Sequence, residues 1–214
     1  MADPAAPSRD CDLCPRLARF RTASRAAYPD WHNAPVPSFG GLDARLLIVG
    51  LAPGLKGANR TGRPFTGDYA GDLLYATLRD FGFATGRYQS RPDDGLTLVD
   101  CRITNGVRCV PPENKPTPAE INACRPFLVR EIAAMPRLRA ILALGLIAHG
   151  TVLAALGERR ARYAFGHGAL HELPAGLVLA DSYHCSRYNT NTGRLTEAMF
   201  RSVFEGIRTA LASA

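Results

Sequence analysis

The chain has 214 residues, 46% of them hydrophobic and 21% charged, which is enough to bury a core and excludes collagen-like, disordered and disulfide-stapled miniprotein classes. Its 26 Lys and Arg against 19 Asp and Glu give a net charge of +7, which favours a polyanionic partner such as nucleic acid without establishing one, since solvated arginines give the same balance. The opening residues, MADPAAPSRDCDLCP, lack the basic start and apolar run of a secretory signal, so the thiols are expected in a reducing, cytoplasmic setting.

Cys11-x2-Cys14 comes first along the chain, and Cys109 and Cys124 complete it far downstream. Two thiolates on one short turn, joined by two that folding brings in, form a soft sulfur site suited to zinc or an iron–sulfur cluster. Arg45 to Gly50 (RLLIVG) is the first short apolar run with the length of a strand buried on both faces. A helical pattern follows over Asp68 to Phe81. The second strand is expected over Leu96 to Thr104 (LTLVDCRIT), with Cys101 inside it as a small buried hydrophobe. Thr117-Pro118-Ala119-Glu120 then marks a helix start, with Thr as N-cap, Pro at the first helical position and Glu closing a capping box, and the helix runs to Met135. Arg139 to Leu144 (RAILAL) reads as the third strand and Ile147 to Leu156 as the next helix. Ala140 to Gly157 is the most membrane-like stretch, but Gly145, His149, Gly150 and Thr151 interrupt it, so no membrane span is expected. Gly176 to Asp181 (GLVLAD) and a helix over Thr196 to Leu211 complete an alternation that predicts an α/β fold with a parallel sheet.

In such a sheet, ligands bind beyond the carboxyl ends of the strands. There the sequence places Gly50-Leu51-Ala52-Pro53-Gly54 and Asn59 to Asp68 (NRTGRPFTGD) after the first strand, Asn105 after the second, and Ser182-Tyr183-His184-Cys185-Ser186 after the last. The glycine-rich loop matches neither G-x-x-x-x-G-K-[ST] nor G-x-G-x-x-G, which removes the warrant for nucleotide hydrolysis or dinucleotide binding. Base recognition fits the same parts. The Phe65 ring can stack on a base, the Asn105 amide matches the donor and acceptor on one edge of uracil, and His184 can bond the base oxygen that gains charge as a glycosidic bond breaks. Plain structural readings stand beside these, with Phe65 as core packing, Asn105 as a turn cap and Asp68 as the N-cap of the next helix, while His184 is the strongest of the five histidines because it follows a strand directly. His149 reads as a core or surface residue of an apolar helix. His167 and His171 have a metal-like spacing, but Gly166 and Gly168 break the helix it requires, so a hairpin or loop is expected.

At these residues the chain resembles the uracil-DNA glycosylase superfamily, and most closely its family 5, the B type. The resemblance runs from the Cys11/Cys14 turn through GLAPG, NRTGRPFTGD, TNGVRCVPPENKPTPAEINAC and SYHCSRYNTNTGRLT, and so covers most of the chain in order. It implies a three-layer α/β/α fold with a central four-stranded parallel sheet in one domain over residues 1–214, the segment 1–40 contributing to an iron–sulfur subregion. It also implies a [4Fe–4S] cluster on Cys11, Cys14, Cys109 and Cys124, with no redox step. The implied activity is a monofunctional, monomeric glycosylase associated with the nucleoid. It would flip out and hydrolyse uracil, and other deaminated bases such as hypoxanthine or xanthine, from double-stranded DNA.

Residue by residue, Gly50, Leu51 and Ala52 look like the motif lining the base pocket, Phe65 like the stacking ring, Asn105 like the pyrimidine-edge reader, and His184 like the start of the second motif. Ser186, Arg187, Tyr188 and Asn189 resemble the loop that enters the duplex and fills the space the base leaves. The chain departs from the pattern in having Cys185 where proline is expected, which opens the prospect of a looser His184 or an altered substrate range. Leu51 stands where other families carry a polar water-activating residue, so Asp68 becomes the candidate to stabilise the sugar cation or orient water. A zinc-stapled nucleic-acid-binding module without catalysis would explain the cysteines and charge, but not the convergence of Phe65, Asn105 and His184. A sulfur-cluster redox protein would explain the cysteines only.

Overall fold

The computed structural model describes residues 6–212, so the first five residues weighed above as a signal lie outside the described residues. The chain runs α1 (Pro15–Ala27), β1 (Leu46–Gly50), α2 (Ala58–Thr61), α3 (Tyr69–Asp80), β2 (Ala84–Thr85), β3 (Thr97–Leu98), β4 (Cys101–Asn105), α4 (Pro118–Ala133), β5 (Ala140–Leu144), α5 (Leu146–Ala155), β6 (Leu170–Glu172), β7 (Val178–Ser182), α6 (Arg187–Asn191) and α7 (Glu197–Ala212). The main sheet has the order β4-β1-β5-β7-β6. Its first four strands are parallel, as expected, and β6 adds a short antiparallel edge against β7. Among the described residues no helix is long and apolar enough to cross a membrane.

Every residue of β1 is buried because its side chains alternate between two helical layers. Leu46 and Ile48 join Leu74 and Leu78 of α3 and Phe200 and Phe204 of α7 on one face. Leu47 and Val49 join Leu128 of α4 and Val152 and Leu153 of α5 on the other. The result is a three-layer α/β/α arrangement. The expected capping box starts α4: the Thr117 hydroxyl accepts from the Glu120 amide at 3.3 Å, and the Glu120 carboxylate accepts from the Thr117 amide at 2.8 Å.

The structure differs from the sequence reading in several elements, α2, β2 and α6 among them. Leu96 to Thr104 is two strands, because Asp100 turns to a φ of 52° and uses its carboxylate to accept from the Arg45 amide and guanidinium at 2.8 and 2.7 Å. Thr97–Leu98 then pairs with β2, away from the main sheet. Helix α1 has no apolar stripe to announce it, since its buried residues are Leu17, Arg21 and Ser24. The edge strand β6 alternates exposed and half-buried positions, too polar and short to read as a strand.

The connection between α2 and α3 is fixed by a buried ion pair. Arg63 donates to both carboxylate oxygens of Asp94 at 2.8 Å and to Thr66 Oγ1 at 2.8 Å, while its guanidinium lies against the rings of Phe39, Tyr75 and Tyr88. Burial opposes the charge on Asp94, but the Arg63 fork and the amides of Gln89 and Leu96 outweigh it and hold the carboxyl well below its ordinary range. Arg63→Met should therefore cost about 3–5 kcal/mol in urea unfolding at pH 7, because it strands a buried carboxylate. The lowered folded-state value places the pair's full contribution above the unfolded carboxylate value of about 4, to be lost as pH falls through the lowered value. The gap between wild type and variant should accordingly narrow only in acid, and equal stabilities at pH 7 would show that the pair does not hold the loop.

Candidate active site and cysteine cluster

A cavity of about 400 Å³ opens at the carboxyl ends of the parallel strands. It is lined by Leu51, Ala52 and Gly54 after β1, by Phe65 and Asp68 before α3, by Asn105 at the end of β4, and by His184, Ser186 and Arg187 after β7. The structure thus brings together most of the candidates that the sequence singles out. Gly50 lies under Phe65 and Asn105, while Tyr188 and Asn189 lie on the short helix α6 that leaves the pocket, Tyr188 being 72% exposed. The segment from Ser186 to Asn189 is therefore largely helical. Ser186 caps it by accepting from the Asn189 amide at 3.4 Å, and the Asn189 side chain donates back to the His184 carbonyl at 2.8 Å. Tyr69, Ala70 and Asn114 also line the cavity. Tyr69 and Ala70 follow Asp68 directly, whereas Asn114 falls within the TNGVRCVPPENKPTPAEINAC stretch but beyond the strand end, where the sequence does not single it out.

Two backbone features shape the pocket. A Cβ on Gly50 would lie 2.4 Å from Asn105 Oδ1 and 2.7 Å from the Phe65 ring, so the absence of a side chain lets both approach. Phe65 takes a left-handed φ of 51°, which turns its ring over Gly50 and into stacking with His184 at 5.9 Å between centroids and 29° between planes. Phe65 lines the cavity and also belongs to the core cluster, so its structural and ligand-facing readings coexist.

The two titratable groups of the pocket are both shifted by burial. It pushes His184 down to about 4, so its imidazole is neutral at neutral pH and can donate one N–H without carrying charge. It pushes Asp68 up, an effect that the facing amides of Gly71 and Ala70 only partly offset. Asp68 holds the N-cap position of α3, but its side chain closes no capping hydrogen bond and its Oδ1 is buried without a partner. Gly54 and Gly57 leave it room: a Cβ at Gly57 would stand 2.3 Å from Asp68 Oδ2.

The backbone that aims His184 is pinned on both sides. His167 Nδ1 accepts the Tyr183 amide at 3.2 Å, and the two rings stack at 5.0 Å. Cys185 is wholly buried, and its thiol donates to the Ala70 carbonyl at 3.4 Å, which ties this segment to the first turn of α3. Outside the pocket, the Asp181 carboxylate bonds His149 at 2.7 Å and His171 at 3.1 Å, so His149 is a partnered core residue and His171 belongs to the β6–β7 hairpin.

Cys11, Cys14, Cys109 and Cys124 line a single small cleft between α1 and α4, whereas Cys101 and Cys185 are buried elsewhere. Burial pushes the Cys14 thiol up to about 11 and the Cys109 thiol up to about 12, so without a bound metal these groups stay protonated. Arg21 donates to Cys109 Sγ at 3.5 Å and the Arg108 amide to Cys124 Sγ at 3.3 Å, while Arg21 Nε is buried beside them without a partner. A donor set of four thiols, faced by a cation with a spare N–H, suits an anionic metal–sulfur group.

The uracil DNA glycosylase superfamily matches residues 37–208. Similar proteins include a type-5 uracil-DNA glycosylase of Thermus thermophilus, 47% identical over 90% of this chain and 90% of the relative. A type-5 uracil-DNA glycosylase of Mycobacterium bovis is 44% identical over 91% of this chain and 75% of the relative. One of Pyrobaculum aerophilum is 41% identical over 96% and 89%.

The contact at Gly50 yields a stability test. Gly50→Ala should cost about 1–3 kcal/mol by overpacking against Phe65 and Asn105, whereas Gly54→Ala, whose Cβ would meet only Asp68 Oδ2 at 3.2 Å, should cost less. Urea unfolding of both variants measures the difference, and a Gly50→Ala protein as stable as wild type would contradict the close approach.

Proposed function

Because the chain belongs to the uracil DNA glycosylase superfamily, we propose that it removes uracil from double-stranded DNA by hydrolysing the N-glycosidic bond of a nucleotide flipped into this pocket. The observation that carries the reading is the convergence of Phe65, Asn105, His184 and Asp68 on one cavity at the strand ends. The flipped base stacks on Phe65, and Asn105, 4% exposed, offers its amide to the pyrimidine edge. The neutral His184 donates to the base oxygen that becomes negative as the bond breaks. Asp68, lacking an ion-pair or capping partner in its pocket, stabilises the positive charge developing on the sugar or orients the water that attacks it. Leu51 leaves no water-activating group after β1, which is why the carboxylate before α3 takes this part.

The same reading extends to other deaminated bases such as hypoxanthine and xanthine, since stacking on Phe65 and contact with a neutral His184 do not require a pyrimidine. Arg187, packed on Tyr69 at 5.3 Å, and the exposed Tyr188 would enter the duplex from α6. We place the protein on cytoplasmic DNA as a monomer, in one domain that includes the segment 1–40. A zinc-stapled binding module is the weaker reading, because it leaves the pocket without a use.

Cys11, Cys14, Cys109 and Cys124 would hold a [4Fe–4S] cluster, which supplies a structural link between the N-terminal segment and the middle of the chain. Cys109→Ser is expected to lower iron content and Tm together, and Cys185→Ser to leave iron unchanged. Iron retained in full by Cys109→Ser would remove that residue from the ligand set.

The deciding assay is abasic-site formation in duplexes carrying uracil, hypoxanthine or xanthine; no release of any base by the wild type would sink the proposal. In single turnover, His184→Ala should slow uracil release by about two orders of magnitude, the value of a lost transition-state hydrogen bond. Asp68→Asn should be folded but slow. The raised value of Asp68 also predicts that the wild-type rate falls, as pH drops, through a one-proton limb above the ordinary carboxylate value, and that Asp68→Asn lacks this limb. A normal rate and a normal Tm for Asp68→Asn would reduce that residue to a helix cap.

A further inference from the structure

Outside the pocket, the buried carboxylate of Asp181 in β7 is met by imidazoles from two other elements. His149 Nδ1 of α5 lies 2.7 Å from its Oδ1, and His171 Nε2 of β6 lies 3.1 Å from its Oδ2. One ligand atom from each of the three residues can be chosen so that all lie within 4.8 Å of one another. Asp181 and His149 are buried, whereas the His171 side chain keeps 14% of its exposure and gives the cluster an opening to solvent. The sequence spacing of His167 and His171 plays no part in it, because His167 turns to the Tyr183 amide instead.

The Tyr163 carbonyl, 3.0 Å from His149 Nε2, fixes the state of that ring: a carbonyl only accepts, so Nε2 carries the hydrogen. In the neutral ring the Nδ1 lone pair then points at a carboxylate oxygen. Two acceptors at that distance need a cation between them, either a proton or a metal ion. The surroundings favour the metal. A ligating imidazole gives its other N–H to a carbonyl, and a ligating carboxylate is itself hydrogen-bonded. Tyr163 supplies the first contact, and the Gly166 amide, donating to Asp181 Oδ2 at 3.4 Å, supplies the second. A proton shared by His149 and Asp181 has no need of a second imidazole, whereas a metal ion takes His171 as its third ligand.

We propose that His149, His171 and Asp181 form a site for a divalent transition-metal ion of the zinc type, with solvent in the remaining position on the His171 side. Two imidazole nitrogens and one carboxylate oxygen suit zinc better than magnesium or calcium, which take oxygen ligands. Bonds of about 2.0–2.2 Å at tetrahedral angles separate ligand atoms by about 3.4 Å, so the two contacts to Asp181 need to open by only about half an ångström. The bound ion would fasten the short edge strand β6 to α5.

The test is zinc uptake by the full chain, with its iron in place, in equilibrium dialysis followed by elemental analysis. Wild type is expected to bind zinc without losing iron, and its Tm should rise by about 5–10 °C when free zinc is about 100 times the Kd. His171→Gln removes one ligand and should take up about one equivalent less than wild type. His171→Cys restores a ligand and should recover that equivalent, which separates loss of the site from loss of the fold. Histidine 15N resonances of wild type report the same site without a substitution, and those of His149 Nδ1 and His171 Nε2 should shift when zinc is added. Wild type that binds no zinc overturns the proposal. So do zinc that enters only by displacing iron, uptake by His171→Gln equal to that of wild type, and histidine resonances that zinc leaves unmoved.

Discussion

Phe65 is held in a left-handed backbone conformation that an aromatic residue keeps only when its surroundings over-determine it. Several contacts enforce it at once. The Tyr88 hydroxyl donates to the Phe65 carbonyl at 3.2 Å, and the Tyr75 hydroxyl to the Pro64 carbonyl at 2.6 Å. Gly71 in the first turn of α3 lies so near that a Cβ there would fall 1.9 Å from the Phe65 carbonyl. Arg63, two residues earlier, is locked to Asp94. This forced turn puts the ring over Gly50, brings it against His184, and delivers Asp68 to the cavity three residues later. The pocket therefore depends less on the strand ends, which any parallel sheet supplies, than on one loop prevented from relaxing.

Burial acts on the two titratable groups with opposite consequences for the proposed reaction. It removes charge from His184, which makes the imidazole a neutral donor whose hydrogen bond strengthens as the departing base becomes anionic. It also opposes charge on Asp68, whose Oδ1 is buried without a hydrogen-bond partner to offset the loss of solvent. An ionised group in that position is poorly stabilised in the resting pocket. It gains a partner as positive charge develops on the sugar, so its interaction is stronger in the transition state than in the ground state, which is the condition for accelerating a reaction. Had Asp68 been paired with an arginine, as Asp94 is, that difference would have been largely spent in the resting protein.

The readability of this chain follows from where its information is local. Strands β1, β5 and β7 announce themselves as unbroken apolar runs because both faces of the sheet are covered, and α4 because its capping box is written in four consecutive residues. The break at Asp100 is not legible, since it depends on Arg45, 55 residues away in sequence. Helix α1 is not legible because the face it buries is polar. The pocket residues Phe65, Asn105 and His184 could be picked out by their place after strands and by the motifs around them. Asn114 and His167 could not: one reaches the cavity through a turn fixed by α1, and the other touches the Tyr183 amide from a loop that the sequence marks only as glycine-broken.

That polar face of α1 also bears on what the cysteines are for. Burying Leu17 is worth about 2 kcal/mol, and an isolated helix of 13 residues is marginal in water, while fixing each residue costs roughly 1–2 kcal/mol of backbone entropy. The exposed pair of Arg25 with Asp10 adds little, and the Arg16 pair with Glu120 is itself partly exposed. Hydrophobic burial and ion pairs therefore fall short of docking this segment. A structural metal site contributes on the order of 10 kcal/mol, which is the scale required, and Cys14 and Arg21 point α1 at the place where Cys109 and Cys124 wait. On this argument the proposed cluster acts as a brace. Because Arg16 of the same helix grips the Lys115 carbonyl, the brace reaches as far as the turn at the mouth of the pocket.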